Sequence, residues 1–213
     1  MSFPSDLPLV KLNKGAFFME SSKKKDSKVL LWFKKNITIQ TIVINALIAA
    51  LYAVITILCG PLSYNGGSLQ LRFSELLNLL VFFNPTYTIG LTIGCLLSNI
   101  MSQYGLPDMI FGTLGTLLGC ILIIIVRKTT KNLLLSGFMP CLTNSFIVPL
   151  IVYLYDTSMN MDATTYFIIF GWTFLGEFIC IICVGYPLFL LLSKKYKGFY
   201  NLIDARTGKD FKF

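Results

Sequence analysis

The chain has 213 residues, 55% of them hydrophobic and only 13% charged, with a mean hydropathy of +0.72 and a formal net charge of +8. A soluble domain is nearer half apolar and a quarter charged, so these values exclude an ordinary water-soluble fold and point to a membrane protein built as one helical bundle. Histidine is absent, which removes the commonest general base and the commonest metal ligand.

In chain order, residues 1–37 carry "SSKKKDSK" and no apolar h-region. They read as a solvated basic cytoplasmic arm able to touch anionic lipid, not as a signal peptide, and Met19 is an alternative start. Apolar segments then run over 41–59, 72–83, 86–101, 108–126, 137–155 and 163–192. Crossing a bilayer takes roughly 20 helical residues, which most of these supply. The 72–83 segment is short because Asn84-Pro85 reads as a helix stop followed by a new start. It is either a true span or half of a re-entrant hairpin. The span is preferred, with Arg72 and Glu75 beginning below the membrane surface in a protein cavity. Residues 196–213 read as a polar cytoplasmic tail.

Basic residues set the expected orientation. Of the 18 lysines and arginines, eight precede residue 40, six follow residue 193, and three are Arg127, Lys128 and Lys131; Arg72 alone remains. Asp108, Asp156 and Asp162 fall on the opposite connections. The positive-inside rule then predicts cytoplasmic termini and a six-helix transmembrane bundle of all-α class. Four spans with a re-entrant hairpin satisfy the same parity.

Small residues recur at four-residue spacing. Gly90, Gly94 and Ser98 form one stripe and Gly115 and Gly119 another, both read as internal packing faces. "ALIAALYA" doubles the pattern, with Ala46 and Ala50 beside Ala49 and Ala53. That stripe is read either as internal packing or as a docking face for a partner membrane protein. The six cysteines, all inside apolar runs, read as small core residues.

Charged groups inside apolar segments carry the functional signal, since each costs about 2.5–3.5 kcal/mol at mid-membrane and is kept for a cavity, a partner or a ligand. Glu75 and Glu177 are the clear cases. Arg72 and Glu75, at i,i+3, either neutralise each other or serve a site. Glu177, in "GWTFLGEFICIICVGYPL", has no basic residue in its own span and lies near Trp172 and Phe174. Asn99 and Asn144 add amide donors and acceptors; Asn99 is alternatively a cap, and Asp108 in "PDMIFG" fits a helix cap. Together, under the connection "GPLSYNGGSLQLR", these groups describe an outward-facing pocket for a planar, donor-rich heterocycle. A carboxylate can accept two parallel N–H bonds from such a ring while aromatic side chains stack on its face.

Catalysis finds little support. Cys180-x-x-Cys183 lies in a continuous apolar helix, and "RTGKDF" lacks the glycine and hydroxyl of a phosphate-binding loop. Any ATP-driven role therefore needs partner subunits.

Over residues 40–193 the chain resembles the queuosine-precursor transporter (QueT) family, substrate-binding S components of energy-coupling factor (ECF) transporters. The resemblance rests on "QLRFSELLNLL", "GCLLSN", "GLPDMIFGTLGTLLG" and "GEFICIICVGYPL". It implies a six-helix protein of the cell membrane, with no catalytic role and no cofactor, that captures a 7-deazaguanine from outside. Its implied partners are a transmembrane coupling protein, two ATPase subunits and the lipid bilayer, with no nucleic acid. The implied substrate-binding residues are Arg72, Glu75, Asn99, Asp108, Asn144 and Glu177, beside which Trp172 is an expected aromatic wall. The implied docking residues are Ala46, Ala49, Ala50 and Ala53. Asn78 and Val81 stand where the family often has threonine and proline, and Pro107 replaces a glycine, so the ligand is either an aminomethyl-deazaguanine or queuine. A proton-coupled secondary transporter of a small heterocycle is the alternative.

Overall fold

The computed structural model describes residues 39–64, 69–155 and 162–195. The expected arm over 1–37 and the tail over 196–213 lie outside the described residues. Every regular element among the described residues is helical: α1 (Ile39–Leu58), α2 (Phe73–Phe83), α3 (Thr88–Asn99), α4 (Gly105–Thr129), α5 (Leu133–Tyr155) and α6 (Ala163–Lys195). A single turn, Gly60–Ser63, with proline in its first positions, follows α1.

Four helices (α1, α4, α5 and α6) are long and apolar enough to cross a membrane. The other two are too short to cross alone. α2 is seven residues of 3₁₀ helix followed by four of α-helix, and α3 has 12 residues. At about 2.0 and 1.5 Å per residue these rise only about 20 and 18 Å, against a hydrocarbon core of about 30 Å. The break between them falls where the sequence puts it. Pro85 forces the preceding Asn84 into an extended conformation (φ −141°, ψ 110°), and the Asn84 side chain accepts from the Thr86 N–H at 3.1 Å.

Interhelical contacts fix the directions. A Cβ on Gly90 would lie 2.5 Å from the Asn45 carbonyl, and one on Gly94 would lie 2.7 Å from that of Ala49, so α1 and α3 run parallel at near backbone contact. α2 returns between them, with Thr56 donating to Ser74 at 2.6 Å. Gly115 faces Asn144 and Gly119 faces Pro140, making α4 and α5 antiparallel; Gly137 meets Ile181 and Ile182, which turns α6 back along α5. The glycine stripes are thus internal packing faces, as the sequence suggested.

These directions gather Arg127, Lys128, Lys131, Lys194 and Lys195 at one end of the bundle, with Asp162 at the other, where it caps α6 by accepting from the Thr165 N–H at 2.8 Å. The dry core lies toward the basic end, where Leu79, Val81, Phe82, Phe83, Ile123, Leu133, Ile181 and Phe189 pack together. Large apolar side chains also cover the outside, among them Leu47, Ile93, Leu118 and Phe167. In water that surface would be untenable; against lipid it is the expected one.

Two readings are corrected by helix phase. The doubled alanine stripe divides: Ala49 and Ala53 turn inward onto α3, where Gly94 leaves them no room for a partner, while Ala46 and Ala50 face out. Four cysteines are buried, but Cys59 is half-buried and Cys183 is exposed, so Cys183 is not a core residue.

Candidate functional site

Arg72 and Glu75 head α2, and the 3₁₀ geometry explains their spacing. With three residues per turn, side chains at i and i+3 eclipse, so Arg72, Glu75 and Asn78 fall on one edge of the helix. All three are buried, Arg72 at 3% exposure and Glu75 at 0%. Among the described residues no ion pair joins Arg72 to Glu75, so the neutralising pair considered from the sequence does not form.

Glu75 is held instead by donors from three helices. Tyr52 of α1 donates through its hydroxyl at 2.5 Å, Thr116 of α4 at 3.3 Å, and Asn78 of α2 through its amide. A carboxylate with three donors in a dry interior is a satisfied one. Thr116 also reaches the Cys95 sulfur at 3.2 Å, tying α4 to α3.

Arg72 points to α3. Its Nη2 donates to Asn99 Oδ1 at 2.7 Å, and Asn99 Nδ2 donates onward to the Asp108 carbonyl at 3.0 Å. Asn99 is therefore a bridge between α2, α3 and α4 and not a simple end cap. Asp108 is not a cap either. It lies inside α4, buried, at the start of a wider π turn over Asp108–Gly112, and makes no capping hydrogen bond. A Cβ on Gly112 would lie 2.4 Å from its Oδ1, so glycine one turn on is what makes room for the carboxylate.

Glu177 is supplied by α6 and is 2% exposed. Asn144 of α5 donates to its Oε1 at 3.0 Å, while its Oε2 has no protein hydrogen-bond partner. Arg72, Glu75 and Glu177 lie close enough to feel one another's charge. Immediately after Glu177, α6 opens into π turns over Phe178–Gly185, a geometry that recurs at functional sites. Six of the seven residues expected at the site thus come together. Trp172 does not: it is 44% exposed, because the inward face of α6 runs through Ile169, Thr173, Gly176 and Glu177, and Trp172 falls off that face. Phe174 stacks within a ladder of Phe170, Phe174 and Phe178.

Sequence reasoning missed Tyr52, Asn78, Thr116, Gln70 and Thr173. Tyr52 and Thr56 do carry a signal, since they repeat at the spacing of Ala49 and Ala53 and thus mark a polar line on the buried face of α1. Gln70 is buried because the irregular segment before α2 lies directly on α6. A Cβ on Gly176 would stand 1.8 Å from the Gln70 carbonyl oxygen, so no side chain fits there. Gln70 Nε2 in turn donates to the Ser63 carbonyl at 2.5 Å, and Tyr64 donates to the Ser98 carbonyl at 2.7 Å, strapping the post-α1 turn over the cluster. Burial raises the pKa of the Tyr64 phenol, which keeps it a neutral donor. A surface hollow of about 370 Å³ opens beside this turn, lined by Gly60, Pro61, Tyr64, Met101 and Gln103. Among the described residues no group of three acidic or thiol side chains is placed to hold a metal.

Apolar helices of membrane-crossing length, closed around buried acids, an arginine and amides, define a multi-pass membrane protein with a charged interior. The chain belongs to the QueT transporter family, whose model matches residues 42–194. It is also 45% identical, over 76 residues, to the queuosine precursor transporter QueT of Lactococcus lactis subsp. cremoris (strain MG1363). That alignment covers 36% of this chain and 44% of the relative, so the chain spans less than half the length of the curated protein it matches. No solved structure matches the chain.

Proposed function

We propose that this chain is the substrate-capturing membrane subunit of an uptake system for a queuosine precursor of the 7-deazaguanine type. Family membership supports the class of cargo, and one structural observation carries the site: a carboxylate oxygen of Glu177 is sealed in an apolar bundle with no donor of its own. Such a group is retained for a guest or a transported ion. Arg72, Glu75, Asn99, Asp108, Asn144 and Glu177 form the polar cluster that builds the binding site, by contact or by positioning.

In this reading the bundle crosses six times, with α2 and α3 as short passes. Both termini are cytoplasmic, because the cations gather at that end. With no phosphate-binding loop, the chain draws energy from an ECF coupling protein and two ATPases. Docking falls to the exposed Ala46 and Ala50. The test is to purify the subunit alone and titrate it with 7-deazaguanines, then measure uptake in liposomes with and without the coupling protein and ATPases. Binding by the subunit alone with uptake only in the ATP-driven complex supports the proposal. Uptake by the chain alone, driven by a pH gradient, would replace it with the proton-coupled reading, which the proximity of Glu177 to Glu75 favours.

A further inference from the structure

Five buried polar atoms without a protein hydrogen-bond partner lie on or beside the segment before α2 and the face of α6 that it touches: Ser63 Oγ, Gln70 Oε1, Arg72 Nε, Thr173 Oγ1 and Glu177 Oε2. Thr173 and Glu177 lie four residues apart on the buried face of α6, and Gly176 between them is the point at which the Gln70 backbone touches that helix. Arg72 follows two residues later, at the residue that precedes the first turn of α2. Buried polar groups are nearly always paired, so a concentration of unpaired ones on two touching segments calls for a common partner. By contrast Glu75, a neighbour in the same cluster, already has three donors.

The chemistry of the set selects the partner. Arg72 Nε–H can only donate, Gln70 Oε1 can only accept, Glu177 Oε2 accepts in the ionised form that a donor guest would stabilise, and the two hydroxyls can do either. The Gln70 amide is oriented by its own bond to the Ser63 carbonyl, which requires the nitrogen on that side and leaves the oxygen free. A guest must therefore show an acceptor to Arg72 and donors to Glu177 and Gln70, a pattern that a carbonyl flanked by N–H groups supplies. A carboxylate guest would bring a second negative charge to Glu177. A simple amine would leave Arg72 without an acceptor.

We infer that Glu177, Arg72 and Gln70 read the carbonyl, ring N–H and 2-amino edge of a 2-amino lactam heterocycle, and that Glu75 is a positioning residue that does not touch it. This rests on the capture function proposed above and names the edge by which the cargo is recognised. Guanine, 7-deazaguanines and pterins share that edge, so it fixes a class and not a ring. Glu75 acts through others: with Tyr52, Asn78 and Thr116 it locks α1, α2 and α4 so that Arg72 meets Asn99 and presents Nε.

The test titrates the purified full chain with matched pairs of ligands, 7-deazaguanine with 7-deazahypoxanthine and guanine with hypoxanthine, each second member lacking the 2-amino group, and with a pterin. In the native chain, loss of the 2-amino group is expected to weaken binding about tenfold or more. In Glu177→Gln the 2-amino ligand weakens by a similar factor and the ratio between pair members collapses toward one. In Glu75→Gln affinity falls but the ratio stays, which separates positioning from contact. Arg72→Lys, which keeps the charge and removes Nε–H, is expected to erase discrimination between 6-carbonyl and 6-amino ligands. Should Glu177→Gln not fold, the native ligand series and Arg72→Lys still decide. An unchanged ratio in Glu177→Gln, its collapse in Glu75→Gln, or native binding indifferent to the 2-amino group overturns the inference. Recognition of guanine or pterin with the expected ratio, but of no 7-deazaguanine, would instead leave the edge assignment standing and remove the queuosine-precursor reading. Failure of the folded native chain to bind any 2-amino lactam removes both.

Discussion

Glu75 and Glu177 are two acids at nearly zero exposure in one bundle, yet their surroundings are opposite. Glu75 sits where three helices converge, and each sends it a donor. Glu177 faces a single amide on one oxygen and nothing on the other. A buried charge that the fold has fully satisfied belongs to the architecture; one it has left half satisfied is available to a guest. In the reading proposed above, the same residue type at the same burial does two different jobs, and the difference lies in the donors.

The contrast can be broken most severely at the seam between α6 and the segment over 70–72. Gly176→Ala must displace backbone, since its Cβ has no space beside the Gln70 carbonyl; a loss of about 3 kcal/mol or more is expected, read as loss of monodisperse protein or a large fall in Tm. Next comes the pair of acids. Glu75→Gln turns an amide N–H2 toward donors and is expected to lose about 2–3 kcal/mol, whereas Glu177→Gln keeps its Asn144 bond and is expected to change stability by less than about 1 kcal/mol while weakening binding of 2-amino lactams about tenfold or more. Equal Tm losses for the two variants would erase the distinction drawn here.

Smaller effects sharpen it on α1. Ala49→Leu pushes into Gly94 and is expected to destabilise by about 1–3 kcal/mol, while Ala46→Leu, facing out, changes stability by no more than about 0.5 kcal/mol and, if the docking proposal holds, is read by loss of co-purification with the proposed coupling protein. Least of all is Asp162→Ala at the α6 cap. The Thr165 hydroxyl and then its N–H hold the Asp162 pKa below its ordinary value, so the cap contributes above the unfolded carboxyl pKa of about 3.9 and is lost as pH falls through the folded one. A slightly lower Tm for the variant at neutral pH, converging with the native chain in acid, is expected.

Local signals were legible in the sequence. The four long apolar helices, the break at Asn84-Pro85 and the glycine faces were readable because propensity, proline sterics and four-residue spacing are properties of neighbouring residues. Glu177 was readable because a lone acid in an apolar span has few innocent explanations. Its unlikeness to Glu75 was not, because the Tyr52 and Thr116 donors arrive from other helices. Helix phase hid more: the alanine doublet divides between inside and outside, and Trp172, five residues from Glu177, turns away from it. The 3₁₀ start of α2 reconciles Arg72, Glu75 and Asn78 on one edge, and nothing in the apolar pattern distinguishes it from an ordinary α-helical turn.

The two ends of the interior differ in what closes them. Toward the basic end the cluster is backed by a plug of phenylalanine, leucine and isoleucine, through which moving an ion is prohibitive. Toward the opposite end it is roofed by a turn and a short irregular segment bearing glutamine, serine and tyrosine. A charged or strongly polar molecule meets hydrogen-bonding groups on that side and hydrocarbon on the other.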